Sequence, residues 1–329
     1  MDYCTLFDRN YLTRGLALYR SLVGWDNALR LWVLCLDGQT ETLLRQLDLP
    51  GLHLIALPAL EADDPALAAT RSTRTPVEYY FTCTPALVSH LFATVTDIGC
   101  LTYIDADLYF FGDPQAIFDE IGDAEIGIVG HRFPPHLTEL EKYGRYNVAW
   151  NTFRRGPEGM ACLARWREQC IEWCYDRLED GRFGDQKYLD EWPGLYESLQ
   201  VIAHPGANLA PWNYPNIRLT QRERTYYTND QRLIFYHFHG IKQLASHIFE
   251  SGLREPPGRE LRDLYREYCG ELQKSVRIVT RQCGVELSVK TLRHVVNEGD
   301  AGMVRRLWRV FYWGTKAVSN YWKGFVLIA

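Results

Sequence analysis

The sequence of 329 residues has no uninterrupted apolar stretch of membrane-spanning length and no excess of basic residues. Its 36 lysines and arginines are outnumbered by 41 aspartates and glutamates, and the net charge of −5 argues against a nucleic-acid-binding body. The nine cysteines lack the paired spacing of a metal cluster, so we expect reduced thiols and a cytoplasmic protein. Neither a basic segment nor a long apolar run follows Met1, which predicts that there is no signal peptide.

The first sixty or so residues alternate between strand and helix patterns. Short apolar segments at residues 3–7, 29–36 and 53–57 predict strands, and apolar residues at helical spacing follow the first two. This alternation predicts an α/β fold in which mainly parallel strands are covered by helices on both faces of the sheet. Ligands of such sheets bind outside the carboxyl ends of the strands. With 47% hydrophobic residues, the chain can form one large domain of this kind and an appendage.

Prolines punctuate the next segment of the chain. Residues 59–75 are polar and turn-rich, and they predict a loop interrupted at Pro65. Residues 77–95 predict a helix that breaks or restarts at Pro85, because proline removes a helical hydrogen bond.

A short apolar segment, residues 101–104, is followed directly by Asp105 and Asp107. In an extended segment, side chains two residues apart point to the same side, so both carboxylates can face one point. Clustered carboxylate oxygens suit a hard divalent cation, Mn²⁺ or Mg²⁺, whose shell substrate phosphates often complete. An ordinary turn is the alternative for Asp-x-Asp, but two acids beside a core strand are costly to desolvate unless something pairs with them. The pattern therefore predicts a metal site.

The segment around these acids reads Tyr-Ile-Asp-Ala-Asp-Leu-Tyr-Phe-Phe-Gly-Asp-Pro. It resembles the metal-binding motif of GT-A nucleotide-sugar glycosyltransferases, above all the retaining family 8 of glycogenin-like enzymes and bacterial galactosyl- and glucosyltransferases. The resemblance implies the GT-A fold, a Rossmann-like mixed and mainly parallel sheet, which we assign to residues 1–250. Composition changes from Pro256 on, so residues 251–329 are predicted to be a helical C-terminal extension.

The resemblance also implies contacts to the nucleotide of the donor. In family 8 the loop after the first strand carries an Asp-x-Asn-Tyr that contacts uridine, and this chain has Asp8, Asn10 and Tyr11 there. The family has an arginine near the helix that leads into the metal motif, and Arg74 matches it; a solvated arginine in a mobile loop is the alternative. Ala106, between the two acids, completes this group of donor contacts.

Two further segments resemble the sugar pocket of the family. Tyr-Asn-Val-Ala-Trp-Asn resembles its Phe-Asn-x-Gly stretch, which makes Asn147 the contact to the donor sugar, but Ala149 replaces the usual glycine and Asn151 stays an alternative. Asp185 and Gln186 match an Asp-Gln pair whose acid holds sugar hydroxyls and whose glutamine lies under the anomeric carbon. By itself, Asp185 is equally a good N-cap of a helix.

A predicted strand near residue 237 ends in alternating histidines before a glycine. The family has His-x-x-Gly-x-x-Lys here, in which the histidine binds the metal and the glycine and lysine contact the diphosphate. His237 and Gly240 match this spacing, Lys242 falls one residue early, and His239 is the alternative metal ligand. The preceding loop carries Trp212, whose indole suits stacking on a sugar or positioning of the acceptor.

No acid follows Asp300, whereas basic residues interleave with seven aromatic ones in this tail. Taken as a helix, residues 304–326 have one apolar side and an opposite basic side, the pattern of a helix that lies at an anionic membrane surface. Packing on the protein's own domain, or a dimer contact, is the alternative.

These patterns together predict a metal-dependent hexosyltransferase. The resemblance implies transfer of galactose or glucose from a UDP-sugar to a glycan or lipid-linked glycan, with retention, as in bacterial surface-polysaccharide synthesis. Two alternatives remain at this stage. One is a phosphohydrolase of the HAD type, which also uses Asp-x-Asp after a strand, and the other is a non-catalytic protein that binds nucleotide sugars or glycans.

Overall fold

The computed structural model describes residues 1–245, 248–253 and 257–287, together with the backbone of residues 321–322 and 325–327. The strands, in chain order, are β1 (Asp2–Phe7), β2 (Arg30–Cys35), β3 (Leu52–Ala56), β4 (Cys100–Ile104), β5 (Leu108–Phe110), β6 (Ile126–Gly130), β7 (Tyr146–Arg154), β8 (Leu199–Ile202), β9 (Leu219–Arg222), β10 (Thr225–Thr228), β11 (Gln231–Arg232), β12 (Phe235–His237), β13 (Lys242–Ala245), β14 (Ile248–Glu250), β15 (Tyr321–Trp322) and β16 (Phe325–Leu327).

The α-helices are α1 (Leu12–Val23), α2 (Gly38–Leu47), α3 (Leu57–Asp63), α4 (Pro65–Thr70), α5 (Pro76–Thr94), α6 (Gln115–Ile121), α7 (Pro157–Glu172), α8 (Trp192–Leu195) and α9 (Arg259–Cys283). Short 3-10 helices cover Arg9–Tyr11, Arg71–Thr73, Pro135–Tyr143, Lys187–Glu191 and Tyr214–Asn216. Within the described ranges, none of the helices has the length and apolarity that a membrane span needs.

Seven strands form the central sheet in the order β3-β2-β1-β4-β7-β6-β8. The pairs β1–β2, β1–β4, β2–β3 and β6–β8 are parallel, and only β7 runs antiparallel to its neighbours β4 and β6. Successive residues of a strand face opposite sides, so Cys4 packs in a cluster with α5 and α7 while Tyr3 packs in another with α1 and α2. The predicted mixed, mainly parallel α/β sheet with helices on both faces is confirmed.

The segment predicted as a polar loop is helical, because its prolines stand where helices accept them. The first turn of a helix has no use for the missing proline N–H, and Pro65 is the first residue of α4. The carboxylate of Asp64 caps this helix by accepting from the Leu67 N–H at 3.0 Å. The predicted break at Pro85 is also wrong: α5 continues through Pro85, which is buried in the surrounding packing.

The C-terminal helix α9 packs along α1. Arg20 of α1 donates to Glu271 of α9 at 3.0 Å, and the ring of Tyr268 stacks on Phe238 with centroids 3.7 Å apart. The apolar side chains of α9, among them Leu264, join a cluster with residues that follow β12. The division of the chain at residue 250 stays a prediction.

The prediction of a tail helix over residues 304–326 is wrong at its C-terminal end. Residues 304–320 lie outside the described residues. Residues 321–322 and 325–327 are strands, β15 and β16, and β16 pairs antiparallel with β14. This outcome has a local cause, because tyrosine, tryptophan, phenylalanine and valine favour strands and the edge of β14 offers unpaired backbone groups.

Candidate active site

A cavity of about 970 Å³ opens at the carboxyl ends of the parallel strands β1 and β4. Asp8 directly follows β1 and Asp105 directly follows β4, so the pairing of these strands brings both residues to one edge of the sheet. Except for Arg74 and Lys242, all of the site residues predicted from the sequence line this cavity: Asp8, Asn10, Tyr11, Asp105, Ala106, Asp107, Asn147, Asp185, Gln186, His237 and Gly240.

The loop after β1 is shaped by its own aspartate. One carboxylate oxygen of Asp8 accepts from the backbone N–H groups of Asn10 and Tyr11 at 2.9 and 3.3 Å, and the other accepts from the side-chain amide of Asn10 at 2.9 Å. Arg14 holds the loop from behind, since its guanidinium lies 4.3 Å from the Tyr11 ring and donates to the carbonyl of Ile241 at 2.6 Å. The first loop is thereby tied to the segment that follows His237.

Asp105, Ala106 and Asp107 form a turn between β4 and β5, not the extended segment that the spacing argument assumed. The turn is closed by the Leu108 N–H, which donates to the carbonyl of Asp105 at 3.2 Å. Both carboxylates still reach one point because β12 pairs with β5 in a register that sets His237 opposite Leu108. Nε2 of His237 lies 3.1 Å from Asp107 Oδ1 and 3.7 Å from Asp105 Oδ2.

The charges of Asp105, Asp107 and His237 shift one another's pKa. Burial raises the pKa of Asp107, but the charge and hydrogen bond of His237 outweigh burial and lower it to about 2. Burial raises the pKa of Asp105 to about 6, against the attraction of His237. Burial lowers the pKa of His237, yet Asp107 more than compensates, and the net direction is upward. A positive charge at this point therefore stabilises the buried Asp107 and the half-buried Asp105.

The residues at this point fit a divalent cation. Asp107 and His237 are buried, with 6% and 3% of their surfaces exposed, and carboxylate oxygens with an imidazole nitrogen are ligands that Mn²⁺ accepts. Among the described residues that line the cavity there is no lysine or arginine. A phosphorylated ligand would therefore need a cation to balance its charge here.

His239 belongs to the same cluster. One ligand atom each from Asp107, His237 and His239 lie within 4.8 Å of one another, and His239 is the exposed member. Its ring packs against Trp212 with centroids 5.6 Å apart. The structure thus brings both candidate histidines to the acids, with His237 the one that also lies near Asp105.

Asp185 and Gln186 lie on the other side of the cavity. The 3-10 helix Lys187–Glu191 starts after Gln186 and has no side-chain cap, so the alternative role of Asp185 as an N-cap is not what the structure shows. The Gln186 amide donates to the carbonyl of Tyr143 at 3.0 Å. Asp185 is buried, and burial, then the charge of Asp105, raise its pKa to about 8.

The structure distinguishes the two candidate asparagines of β7. Asn147 lines the cavity, and its amide nitrogen lies 3.1 Å from His131 Nε2 and 3.5 Å from Gln186 Oε1. Asn151 is fully buried inside the sheet and donates to the carbonyl of Val148 at 3.0 Å. Asn147 is therefore the residue in position to contact a ligand.

Arg74 and Lys242 are not brought to the cavity. The guanidinium of Arg74 donates to Thr82 in α5 and to the carbonyl of Ile171 in α7 at 2.6 Å, so it joins these two helices. Lys242 begins β13, where its backbone pairs with Glu250 and its side chain is exposed. The predicted phosphate and nucleotide contacts of these two residues have no support in this geometry.

His131 also lines the cavity, although no sequence motif marks it. It directly follows β6, at the same edge of the sheet as Asp8 and Asp105, so the rule that placed those residues would also have placed it. Burial, and then the charge of His237, lower the pKa of His131 to about 3. Its imidazole is therefore neutral at physiological pH.

Two proteins of Bacillus subtilis (strain 168) are similar in sequence. The chain is 31% identical over 250 residues to the uncharacterized protein YfnD, which covers 75% of this chain and 80% of YfnD. It is 32% identical over 248 residues to the uncharacterized protein YfnF, covering 73% of this chain and 81% of YfnF. The chain belongs to the family of YfnD and YfnF. No model of a protein family matches it.

Solved structures show which fold this chain has. The structure of the galactosyltransferase LgtC in complex with donor and acceptor sugar analogs is 16% identical, covers 84% of this chain and 96% of LgtC, and has a TM-score of 0.51. The glycosyltransferase GlyE of Streptococcus pneumoniae TIGR4 is 15% identical, with a TM-score of 0.50, and covers 88% of this chain and 65% of GlyE. The GT-A glycosyltransferase fold implied by the metal motif is confirmed for this chain.

Proposed function

We propose that this chain is a metal-dependent glycosyltransferase that moves a hexose, galactose or glucose, from a UDP-sugar to a glycan acceptor. The observation that carries the proposal is the convergence of two chemically distinct groups in one cavity of a GT-A fold. Asp105, Asp107 and His237 form a cation site on one side, and Asn147 and Gln186 present amide groups on the other. A nucleotide sugar needs both, since it carries a diphosphate and a polyhydroxylated ring.

The charge of the cavity wall supports dependence on a metal ion. A nucleoside diphosphate leaving group accumulates negative charge, and no lysine or arginine of the described cavity lining is available to balance it. A Mn²⁺ or Mg²⁺ ion, when bound, would supply Lewis-acid stabilisation of that charge. The protein's own part is to hold the ligand oxygens and the imidazole of His237 in place, with Asp105 fixed by the Tyr103 hydroxyl, which donates to it at 3.1 Å.

The remaining residues are assigned to different parts of the donor. Asn10 and Tyr11 are presented by the turn that Asp8 shapes, and we assign them to the nucleoside. Asp185, buried beside Gln186, is assigned to the sugar hydroxyls, because a carboxyl group there can accept or donate a hydrogen bond. Gln186 is assigned to the transition state, in which its amide oxygen stabilises positive charge at the anomeric carbon.

Transfer with retention is proposed on the resemblance to family 8 alone. We propose that the acceptor hydroxyl attacks the anomeric carbon from the same face of the sugar that UDP leaves. A diphosphate oxygen of the departing UDP then accepts the proton of that hydroxyl. The structure of LgtC in complex with donor and acceptor sugar analogs supports a cavity that holds both substrates. We also propose that the acceptor is a glycan, free or lipid-linked, in the synthesis of a bacterial surface polysaccharide.

The two alternatives fare differently. The GT-A fold removes the basis for a phosphohydrolase of the HAD type, which rested on Asp-x-Asp alone. A non-catalytic binding protein would have the same fold and the same cluster of Asp105, Asp107 and His237, so turnover is what distinguishes it from an enzyme.

The test is incubation of the full chain with a panel of nucleotide sugars and Mn²⁺, measuring donor hydrolysis and transfer to simple glycosides. We expect release of UDP from UDP-galactose or UDP-glucose that stops on chelation and returns with added Mn²⁺. Proton NMR of the product should show the anomeric configuration of the donor. Binding of a nucleotide sugar without turnover under all conditions would favour the binding protein instead.

Arg74 provides a test of the donor contacts. Arg74→Met is expected to lower the free energy of unfolding by about 1–3 kcal/mol, because the carbonyl of Ile171 loses its buried donor. The donor KM should stay within about threefold of the wild-type value, since Arg74 does not line the cavity. Urea unfolding and steady-state kinetics check both numbers. Arg71→Met is the control, because Arg71 is 59% exposed and pairs with Glu61 at the surface.

A large rise in the donor KM of Arg74→Met, with an unchanged free energy of unfolding, would show that Arg74 contacts the donor.

Attachment to an anionic membrane surface is proposed for the basic tail, on the pattern of its sequence. Arg305, Arg306 and Arg309 precede the strands β15 and β16, so they can be replaced by glutamine without removing those strands. Each basic residue near such a surface contributes on the order of 1 kcal/mol. We expect the wild-type protein to co-sediment with liposomes that contain phosphatidylglycerol and the triple variant to remain in the supernatant. Equal sedimentation of the two would remove the only support for a lipid-linked acceptor.

A further inference from the structure

His131 is held rigidly at the edge of the cavity. Its backbone N–H donates to the carbonyl of Arg145 at 2.9 Å, and its own carbonyl accepts from the indole of Trp212 at 2.9 Å. The imidazole stacks on Phe133, with centroids 4.8 Å apart and planes 7° apart. A ring fixed by its backbone and by stacking can impose an orientation on the group that it contacts.

That group is the side-chain amide of Asn147. The Asn147 Nδ2 group lies 3.1 Å from His131 Nε2, while Asn147 Oδ1 accepts from the backbone N–H of Ala149 at 3.3 Å. These two contacts assign the oxygen and the nitrogen of the amide, since only the nitrogen can donate to the neutral imidazole. The ring of His131 must then carry its proton on Nδ1, which is buried and has no hydrogen-bond partner within the described ranges.

The same nitrogen has a second hydrogen, which points to Gln186. Asn147 Nδ2 donates to Gln186 Oε1 at 3.5 Å, and Gln186 Nε2 in turn donates to the carbonyl of Tyr143 at 3.0 Å. A chain of hydrogen bonds therefore runs from His131 through Asn147 to Gln186, and each amide in it has one orientation only.

We propose that His131 is a positioning residue, which fixes the orientation of the Gln186 amide through Asn147. This proposal deepens the function proposed above and rests on it for its kinetic consequence. His131 does not need to touch the donor to act in this way. Its contribution is to supply a hydrogen-bond acceptor of fixed position, without which the Asn147 amide keeps only the Ala149 N–H and Gln186 Oε1 as partners and orients Gln186 less firmly.

The kinetic test compares two substitutions of His131. His131→Phe keeps the stacking on Phe133 but removes the acceptor, and we expect kcat to fall by about 10- to 100-fold with little change in donor KM. His131→Gln restores an acceptor near the position of Nε2 and should recover most of the loss. His53→Phe is the matched control, because His53 also stacks on an aromatic ring, Trp32, but lies outside the cavity.

A double-mutant cycle distinguishes positioning from general structural support. In a Gln186→Ala background, where there is no amide left to orient, His131→Phe should cost less than about threefold in kcat. Equal losses in the two backgrounds, or a His131→Gln variant as poor as His131→Phe, would overturn the proposal. His131→Met, which fills the space with a flexible side chain that has no nitrogen acceptor, repeats the test if the phenylalanine variant does not fold.

A crystal structure of the His131→Phe variant tests the geometry without any assay. We expect the Asn147 amide to be rotated and the hydrogen bond from Gln186 to Tyr143 to be lost or lengthened. If both amides keep their orientation, the positioning role is refuted whatever the kinetics show. If the wild-type protein neither transfers nor hydrolyses any nucleotide sugar, the proposed function fails, while the crystal structure still decides whether His131 orients Gln186.

Discussion

Asp107→Asn is expected to reduce metal-dependent turnover by about a thousandfold or more. The substitution removes one charged ligand from a site whose other ligands are Asp105 and His237, and the loss of several kcal/mol of charge stabilisation corresponds to this factor at about 1.36 kcal/mol per tenfold. Asp105→Asn should behave in the same way. The measurement is kcat/KM as a function of Mn²⁺ concentration, together with Mn²⁺ affinity by calorimetry.

Asp113→Asn is the control for this prediction. Asp113 lies in the same sequence motif but is exposed, and its side-chain oxygen accepts from the backbone N–H of Gln115 at 2.9 Å, which the side-chain oxygen of asparagine can also do. It should retain wild-type turnover and metal affinity. Undiminished activity of Asp107→Asn, or wild-type turnover that persists after chelation, would show that the three residues do not hold an essential cation.

Gln186→Ala is expected to lower kcat by about 100- to 1,000-fold and to raise the donor KM much less. The reason is that an amide oxygen placed under the anomeric carbon interacts most strongly with the positive charge that develops there in the transition state. Steady-state kinetics with varied donor concentration separate the two parameters. Gln200→Ala is a suitable control, because Gln200 is half-buried in β8, its side-chain amide donates to the carbonyl of Val201, and it does not line the cavity.

A defect of Gln186→Ala that lies wholly in KM would instead make Gln186 a residue that binds the ground state. A product of inverted configuration from the wild-type enzyme would discard the retaining mechanism, although the assignment of the metal ligands would stand.

The residues at the carboxyl edge of the sheet were predictable from the sequence, because their placement depends on local patterns. Alternating strands and helices fix which strand ends meet, and this alone brought Asp8 and Asp105 together. His131 also follows the carboxyl end of a strand, but no motif distinguishes it from other residues that follow strands. The turn at Asp105–Asp107 was misjudged as an extension of β4, yet the result for the carboxylates was the same, because β12 supplies the third ligand from across β5.

Other features could not be predicted because they depend on distant parts of the chain. Arg74 matches the family only by its place in the sequence, and what decides its role is the carbonyl of Ile171, 97 residues away, which lies within 2.6 Å of it. The choice between Asn147 and Asn151 likewise depends on how β7 pairs with β6, where an irregularity between Ile128 and Val129 shifts the register. Local propensity carries no information about either.

The stacking of Tyr268 on Phe238 has a consequence for the evolution of this family. Phe238 stands between His237 and His239, and its ring lies 3.7 Å from that of Tyr268 in α9. A residue of α9 therefore supports the backbone that carries the histidines. Recombination that exchanged α9 between relatives as a separate module would alter the cation site even if every ligand were retained. Tyr268 and Phe238 are thus expected to change together among family members, or not at all.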